Sequence, residues 1–217
     1  MSEITTIFFD LDDTLYPRSS GIWPVIGKRI ELYMHEKVGL PLDIIPALRR
    51  TLFKTYGTTL RGLQMDYHID PHDYLEFVHN IPLNQYLEPN PQLRSIIESY
   101  SQQKVILTNA DVNHAERVIR HLGLSGCFRQ IIDILAISPY CKPMPQAFQI
   151  ALELAGVTDP RTCLLIDDNL ANLTAAAGLG FKTICIGNQE LFMENTSFIP
   201  DLVSLPAVFP FNGKEKM

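Results

Sequence analysis

The chain has 217 residues, 46% of them hydrophobic, which is enough apolar material for a packed core with an inserted segment. Its 24 acidic against 18 basic side chains give a net charge of −6, and the absence of a long Lys/Arg run excludes polymeric nucleic acid as the expected partner. No apolar run nears the roughly 20 residues of a membrane span, no basic leader precedes the first strand pattern, and four widely spaced cysteines (Cys127, Cys141, Cys163, Cys185) form no C-x-x-C pair, so a cytoplasmic, reducing location without membrane insertion is expected.

The first predicted element is a short strand from Ile4 to Phe9. It stops at Asp10, Asp12 and Asp13, three carboxylates in four positions, and their repulsion predicts either a positive partner or a reactive centre. From Tyr16 to about Leu87 the connection is too long for one crossover helix. Ile22, Val25, Ile26, Ile30, Tyr33, Met34 and Val38 recur at helical spacing within it, which predicts a helical cap over residues 17–87, with a core built from residues 1–16 and 88–217. Trp23, Tyr33 and Met34 read as cap core or cap-to-core contacts. His68 and His72 are four apart, but Asp70-Pro71 lies between them and argues against a metal-binding helical face.

The run Leu87-Glu88-Pro89-Asn90-Pro91 closes the insert, and a helix to about Ser101 follows. Four further strands are predicted from Lys104 to Thr108, Gln130 to Leu135, Cys163 to Ile166 and Lys182 to Ile186. Helices between them run from Asn113 to Leu122, stopped by Gly123, and from Pro145 to Ala155, stopped by Gly156. Alternation of this kind predicts an α/β fold with a Rossmann-like parallel sheet. The apolar, Pro-punctuated tail from Phe198 to Phe209 is expected to pack along the core, and residues 212–217 to fray.

Ligands of open parallel sheets bind beyond the carboxyl ends of the strands, so the residues that follow each apolar run matter most. They are Asp10 and Asp12, Thr108 and Asn109, Lys142, and Asp167 with Asp168. Taken singly, each has a plainer reading as a cap, turn or solvated loop residue, and Asp13-Thr14 reads best as a turn. Jointly they suit phosphoryl transfer. Carboxylates from two strand ends can share one Mg²⁺, a free carboxylate can attack phosphorus, and a lysine, a hydroxyl and backbone N–H groups can hold the transferring group.

The segments DLDDT (Asp10 to Thr14), LTN (Leu107 to Asn109), CKP (Cys141 to Pro143) and IDDN (Ile166 to Asn169) resemble, in order, the four motifs of the haloacid dehalogenase superfamily. A helical cap between the first two motifs is similar to the arrangement of its subfamily I. YGTTLRGL (Tyr56 to Leu63), and Thr108-Asn109-Ala110 followed by Asn113-His114-Ala115, resemble the pyrimidine 5'-nucleotidase group.

The resemblance implies Asp10 as nucleophile and Asp12 as general acid, with Mg²⁺ held by the Asp10 carboxylate, the Asp12 carbonyl and Asp168, and Asp167 assisting directly or through water. It implies Thr108 and Asn109 as phosphate ligands and Lys142 as the cation that neutralises phosphate and nucleophile. Many relatives carry a further Asp where this chain has Asn172. The implied activity is Mg²⁺-dependent hydrolysis of a small phosphate monoester, a pyrimidine nucleoside 5'-monophosphate foremost. Dehalogenating members lack a carboxylate two residues after the nucleophile, so Asp12 favours phosphate esters. Arg61 is the expected cap contact to substrate, against a surface ion pair, with Tyr56 a second candidate. The alternatives are a phosphatase or phosphomutase for a sugar phosphate or similar metabolite, and a phosphate-accepting receiver or binding module without turnover. Oligomeric state is left open.

Overall fold

The structure, a computed structural model, describes residues 3–187 and 196–210. Its sheet begins with β1 (Thr6–Phe9) and continues with β2 (Gln103–Leu107), β3 (Gln130–Ile132), β4 (Cys163–Asp167), β5 (Lys182–Ile186) and β6 (Thr196–Ile199). All described pairings are parallel, in the order β3-β2-β1-β4-β5-β6. The central strand is buried along its whole length, which a sheet covered on both faces requires of a run such as Thr6-Ile7-Phe8-Phe9.

Register decides where the chemistry lies. Phe9 stands opposite Ile106 of β2 and Ile166 of β4, so the three strands reach the same edge together. The residues that follow them, Asp10, Thr108 and the Asp167-Asp168 pair, therefore meet at the carboxyl edge of the sheet.

The inserted segment forms α1 (Ile22–Glu36), α2 (Ile45–Tyr56), α3 (Thr59–Tyr67) and α4 (Pro71–His79). The apolar stripe of α1 buries Ile22, Ile26, Ile30, Tyr33 and Met34. Trp23 departs from expectation: it is 38% exposed and belongs to a cavity wall rather than to the cap interior. Tyr33 meets Tyr74 edge-on at 5.0 Å, and the Arg29 guanidinium lies 4.1 Å over Phe77 while donating to its carbonyl, which ties α1 to α4. His68 ends α3 in a left-handed conformation and His72 starts α4, where its N–H is capped by Asp70, so the two do not share a helical face.

Helices α5 (Pro91–Ser99), α6 (Val112–His121), α7 (Pro145–Ala155), α8 (Leu170–Gly178) and α9 (Leu205–Val208) flank the sheet. Successive strand residues point to opposite faces. Ile7, Phe9, Ile106 and Ile166 pack with α5, α6 and the tail, while Phe8, Val105, Leu107 and Leu165 pack with α7 and α8.

Two elements differ from the sequence expectation. β3 stops at Ile132, because Asp133 turns the chain by accepting from the N–H groups of Val112 and Ala136. β6 is an unanticipated edge strand joined to β5 by a Thr183–Thr196 hydroxyl contact at 2.8 Å. The tail packs as expected, with Leu202 and Leu205 buried and the Tyr100 hydroxyl donating to the Phe209 carbonyl at 2.6 Å. The expectation of fraying at 212–217 lies outside the described residues. All four cysteines are free and buried. Among the described residues, no helix is long and apolar enough to cross a membrane.

Candidate active site

Between the sheet edge and the inserted helices lies a cavity of about 850 Å³. Asp10, Asp12, Thr108, Asn109, Lys142 and Asp168 all line it. Asp10 and Asp12 follow β1, Thr108 and Asn109 follow β2, Asp168 follows β4, and Lys142 reaches the same space from the loop beyond β3.

Lys142 is its electrostatic centre. The ammonium is 1% exposed and lies 2.7 Å from Asp10 Oδ1 and 2.8 Å from Asp167 Oδ2. Burial alone would pull its pKa down, but Asp10 and Asp167 reverse this and hold it above the usual lysine range. Its backbone is fixed by Asn109, whose Nδ2 donates to the Lys142 carbonyl and whose Oδ1 accepts the Lys142 N–H, both at 2.9 Å. Both ends of the Asn109 amide are therefore engaged in placing Lys142. Thr108 is buried, and its Oγ1 accepts from the Ala110 N–H at 3.0 Å, which leaves its hydroxyl hydrogen to offer.

The two adjacent acids divide their tasks. Asp167 Oδ1 accepts from the Asn169 N–H and Asn172 Nδ2, while Oδ2 accepts from Lys142 and the same Asn172 amide. Asp168 faces the cavity. An amide at position 172 can donate to both oxygens of Asp167, whereas a carboxylate there would oppose them. That is a local physical reason for Asn172.

Asp10, Asp167 and Asp168 each bring a carboxylate oxygen within 4.8 Å of the others, the one such acidic cluster among the described residues. Burial pushes Asp10 well above the usual carboxylate range; Lys142 opposes this, and Asp167 and Asp168 add to it. Burial, with Asp167 and Asp13, pushes Asp168 up to about 7. One ammonium among three carboxylates leaves negative charge uncompensated, and an all-oxygen donor set of this kind fits Mg²⁺. Asp10 and Asp168 are the carboxylates with oxygens to give, since those of Asp167 are already engaged.

Asp12 has a different environment. Its Oδ1 accepts from both the Tyr16 hydroxyl and His114 Nε2, the latter at 2.9 Å. Burial would raise its pKa, but His114 and Tyr16 outweigh that and keep it below the usual range. His114 is fully buried, stacks on His79 with ring centroids 4.2 Å apart, and follows Asp111, the cap of α6, to which His79 is also hydrogen-bonded. The sequence reading assigns no role to His79, Asp111 or Tyr16. Its available signal, Asp111-x-x-His114 at a helix start, marks a cap but not the partner supplied by another element.

Arg61 is not brought to the cavity. Thr58, Thr59 and Leu60 line it, while Arg61 serves the start of α3 by donating its backbone N–H to Thr58 Oγ1. Tyr56 is also absent from the lining, and its hydroxyl donates to Asp66 at 2.6 Å. The close approach of this segment to the core is present nonetheless. Gly57, at φ +87°, would bring an added Cβ to 3.0 Å from Cys141 Sγ, next to Lys142. Trp23, Arg49, Arg50 and Phe53 from α1 and α2 supply the wall instead.

Residues 4–180 match the family model of haloacid dehalogenase-like hydrolases. The chain is 28% identical over 187 residues to Phosphate metabolism protein 8 of Saccharomyces cerevisiae, a match that covers 80% of this chain and 58% of the yeast protein. It is 24% identical over 192 residues to the pyrophosphatase PpaX of Listeria monocytogenes, covering 85% of this chain and 83% of that one. Its fold resembles the magnesium-bound HAD-hydrolase YfnB of Bacillus subtilis, with a TM-score of 0.62, 18% identity, and coverage of 95% and 99% of the two chains.

Proposed function

The chain belongs to the haloacid dehalogenase-like hydrolases, and from that premise we propose that it is a Mg²⁺-dependent phosphomonoesterase for small metabolites, pyrimidine nucleoside 5'-monophosphates foremost, working in the cytoplasm. One observation carries the reading: Asp10 is joined to the Lys142 ammonium while Asp12, two residues on, has one oxygen tied by Tyr16 and His114. That arrangement supports a nucleophile and a separate proton carrier in one cavity.

Asp10 attacks phosphorus as the ester oxygen leaves, and Asp12, whose ionised form Tyr16 and His114 favour in the free site and which therefore takes up a proton on its other oxygen as the anionic phosphate binds beside it, gives that oxygen the proton. Water then attacks the phosphoaspartate, Asp12 takes its proton, and the Asp10 carboxylate is released with phosphate. Lys142 stays against Asp10 and the phosphoryl oxygens, and Thr108 donates its hydroxyl hydrogen to them. Bound by Asp10, the Asp12 carbonyl and Asp168, Mg²⁺ would supply charge neutralisation for phosphate and nucleophile. Asp167 and Asn109 fix Lys142 from below.

The cavity supports a ligand of nucleotide size. Trp23 and Phe53 offer exposed aromatic faces for a base, and Arg49 and Arg50 belong to the same lining. The resemblance to a yeast phosphate metabolism protein supports phosphate chemistry, and that to PpaX adds pyrophosphate to the substrates to be compared.

The test is phosphate release from UMP, CMP, purine monophosphates, sugar phosphates, pyrophosphate and an aryl phosphate, with and without Mg²⁺. Metal-dependent activity highest on UMP or CMP and lost in Asp10→Asn is expected. Activity spread evenly over sugar phosphates would remove the nucleotide, and turnover retained in Asp10→Asn would remove the mechanism.

A further inference from the structure

Asp12 exchanges a proton twice in the reaction above, so its orientation matters more than its presence. Its Oδ1 accepts two hydrogen bonds, from Tyr16 and from His114 Nε2. A hydrogen placed on Oδ1 would displace one of those donors, so only Oδ2 is open to carry one.

The donor side is built with care. His114 is wholly buried, and its Nδ1 has no hydrogen-bond partner, which puts the ring hydrogen on Nε2, toward Asp12. Its backbone N–H is held by Asp111 Oδ1 at 3.0 Å, and the other oxygen of Asp111 holds His79 Nδ1. His79 in turn stacks on the His114 ring with planes 21° apart. One carboxylate thus sets two imidazoles, one from α4 of the insert and one from α6 of the core. Arg117 fixes the segment after α4 by donating to the carbonyls of His79 and Ile81.

We propose that His114, backed by His79 and Asp111, is a positioning residue for Asp12, holding Oδ1 so that Oδ2 alone delivers the proton to the ester oxygen and takes it from water. The inference rests on the phosphomonoesterase reading. His114 itself exchanges no proton: as the P–O bond to the alcohol breaks and the bond to Asp10 forms, the hydrogen of Asp12 Oδ2 goes to the leaving oxygen. In the second half, the hydrogen of water returns to Oδ2.

A structural role and a positioning role separate by leaving group. An alkoxide needs the proton in the transition state, and nitrophenolate needs little of it. The quantity to read is kcat/KM, which reports the reaction through phosphoryl transfer and excludes the shared second half. UMP and p-nitrophenyl phosphate are compared in wild type, His114→Ala, His114→Gln and Tyr16→Phe.

His114→Ala is expected to lose on the order of 10- to 100-fold on UMP, part of the full general-acid contribution, and under about 3-fold on the aryl ester. Gln, whose terminal amide can replace the Nε2 donor, recovers most of the UMP loss. Tyr16→Phe, which removes the other donor to the same oxygen, is expected to show the same asymmetry, and His114→Gln against wild type decides the matter where His114→Ala fails to fold. Equal losses on both esters in an otherwise active enzyme overturn the inference and leave the phosphatase reading standing. A wild type that turns over neither ester, indistinguishable from Asp10→Asn, overturns the reading itself and the inference with it.

Discussion

Lys142 is the residue whose loss should be felt most widely. Without its ammonium, Asp10 and Asp167 face each other unpaired, and Lys142→Met is expected to lower stability by about 3–5 kcal/mol in Mg²⁺-free urea unfolding. Turnover should fall at least ~100-fold. Asn172→Asp makes a finer point: it removes the amide that serves both oxygens of Asp167 and adds like charge. The metal-free protein should lose about 1–3 kcal/mol, and Mg²⁺ should raise its Tm by more than it raises that of wild type. Asp111 supports a prediction about pH. Burial works against its charge, yet its hydrogen bond to His79 holds the carboxyl down to about 2, against ~3.9 in an unfolded chain. A depressed carboxyl contributes stability that is complete above about pH 4 and lost as the pH falls through about 2. Asp111→Asn keeps the cap but not the charge, so it should be less stable by about 1–2 kcal/mol at pH 5, allowing for solvent screening, and the two acid-unfolding curves should converge toward pH 2. At this scale the acids and Thr108 are legible in the sequence because each follows an apolar run, and Lys142, ten residues past the end of β3, because of its place in the CKP segment. Asn109 as a backbone clamp and His79 as a partner of Asp111 are not, since both depend on which loops meet in space.

Among the elements, the α2–α3 turn is the one pressed against the chemistry. Gly57 combines a positive φ with 3.0 Å of clearance to Cys141, so Gly57→Ala meets both backbone strain and a neighbour that holds the Lys142 loop. A loss of about 1–2 kcal/mol in thermal unfolding is expected, with kcat reduced more than KM is raised, because Lys142 rather than the substrate wall is displaced. The strands with continuous apolar runs were readable to within two residues at either end. β3 was shortened by a side chain, Asp133, that takes over the hydrogen bonds a longer strand would need. β6, with two hydroxyl residues in four positions and an edge to itself, carries no apolar signature. The predicted helix starts fared better: Pro91 and Pro145 begin their helices and Asn113 lies one residue inside its own, with Asn90 and Asp111 each capping an N–H by a rule that is local in sequence.

For the molecule as a whole, the acidic cluster should make stability depend on metal. At Mg²⁺ near 100 times its Kd, about 2.7 kcal/mol of added stability is expected, a rise in Tm on the order of 5–10 °C by scanning calorimetry, and Asp10→Asn should show much less. An equal shift in both proteins would place the ion elsewhere. The α/β architecture was legible because a parallel sheet buried on both faces leaves continuous apolar strands between amphipathic helices. Which insert residues wall the cavity was not: Trp23 and Arg61 both lie on helices whose pattern fixes their turn but not the direction in which the bundle faces the sheet. The placement of β1 has a further consequence, for biosynthesis. Its partners are β2 and β4, so the strand that bears the nucleophile has no neighbour on one side until Cys163–Asp167 has left the ribosome. At ordinary elongation rates an exposed Ile-Phe-Phe segment waits on the order of ten seconds or more for β4, which makes the nascent chain a client for holding chaperones and ties completion of the catalytic floor to a strand translated long after the nucleophile.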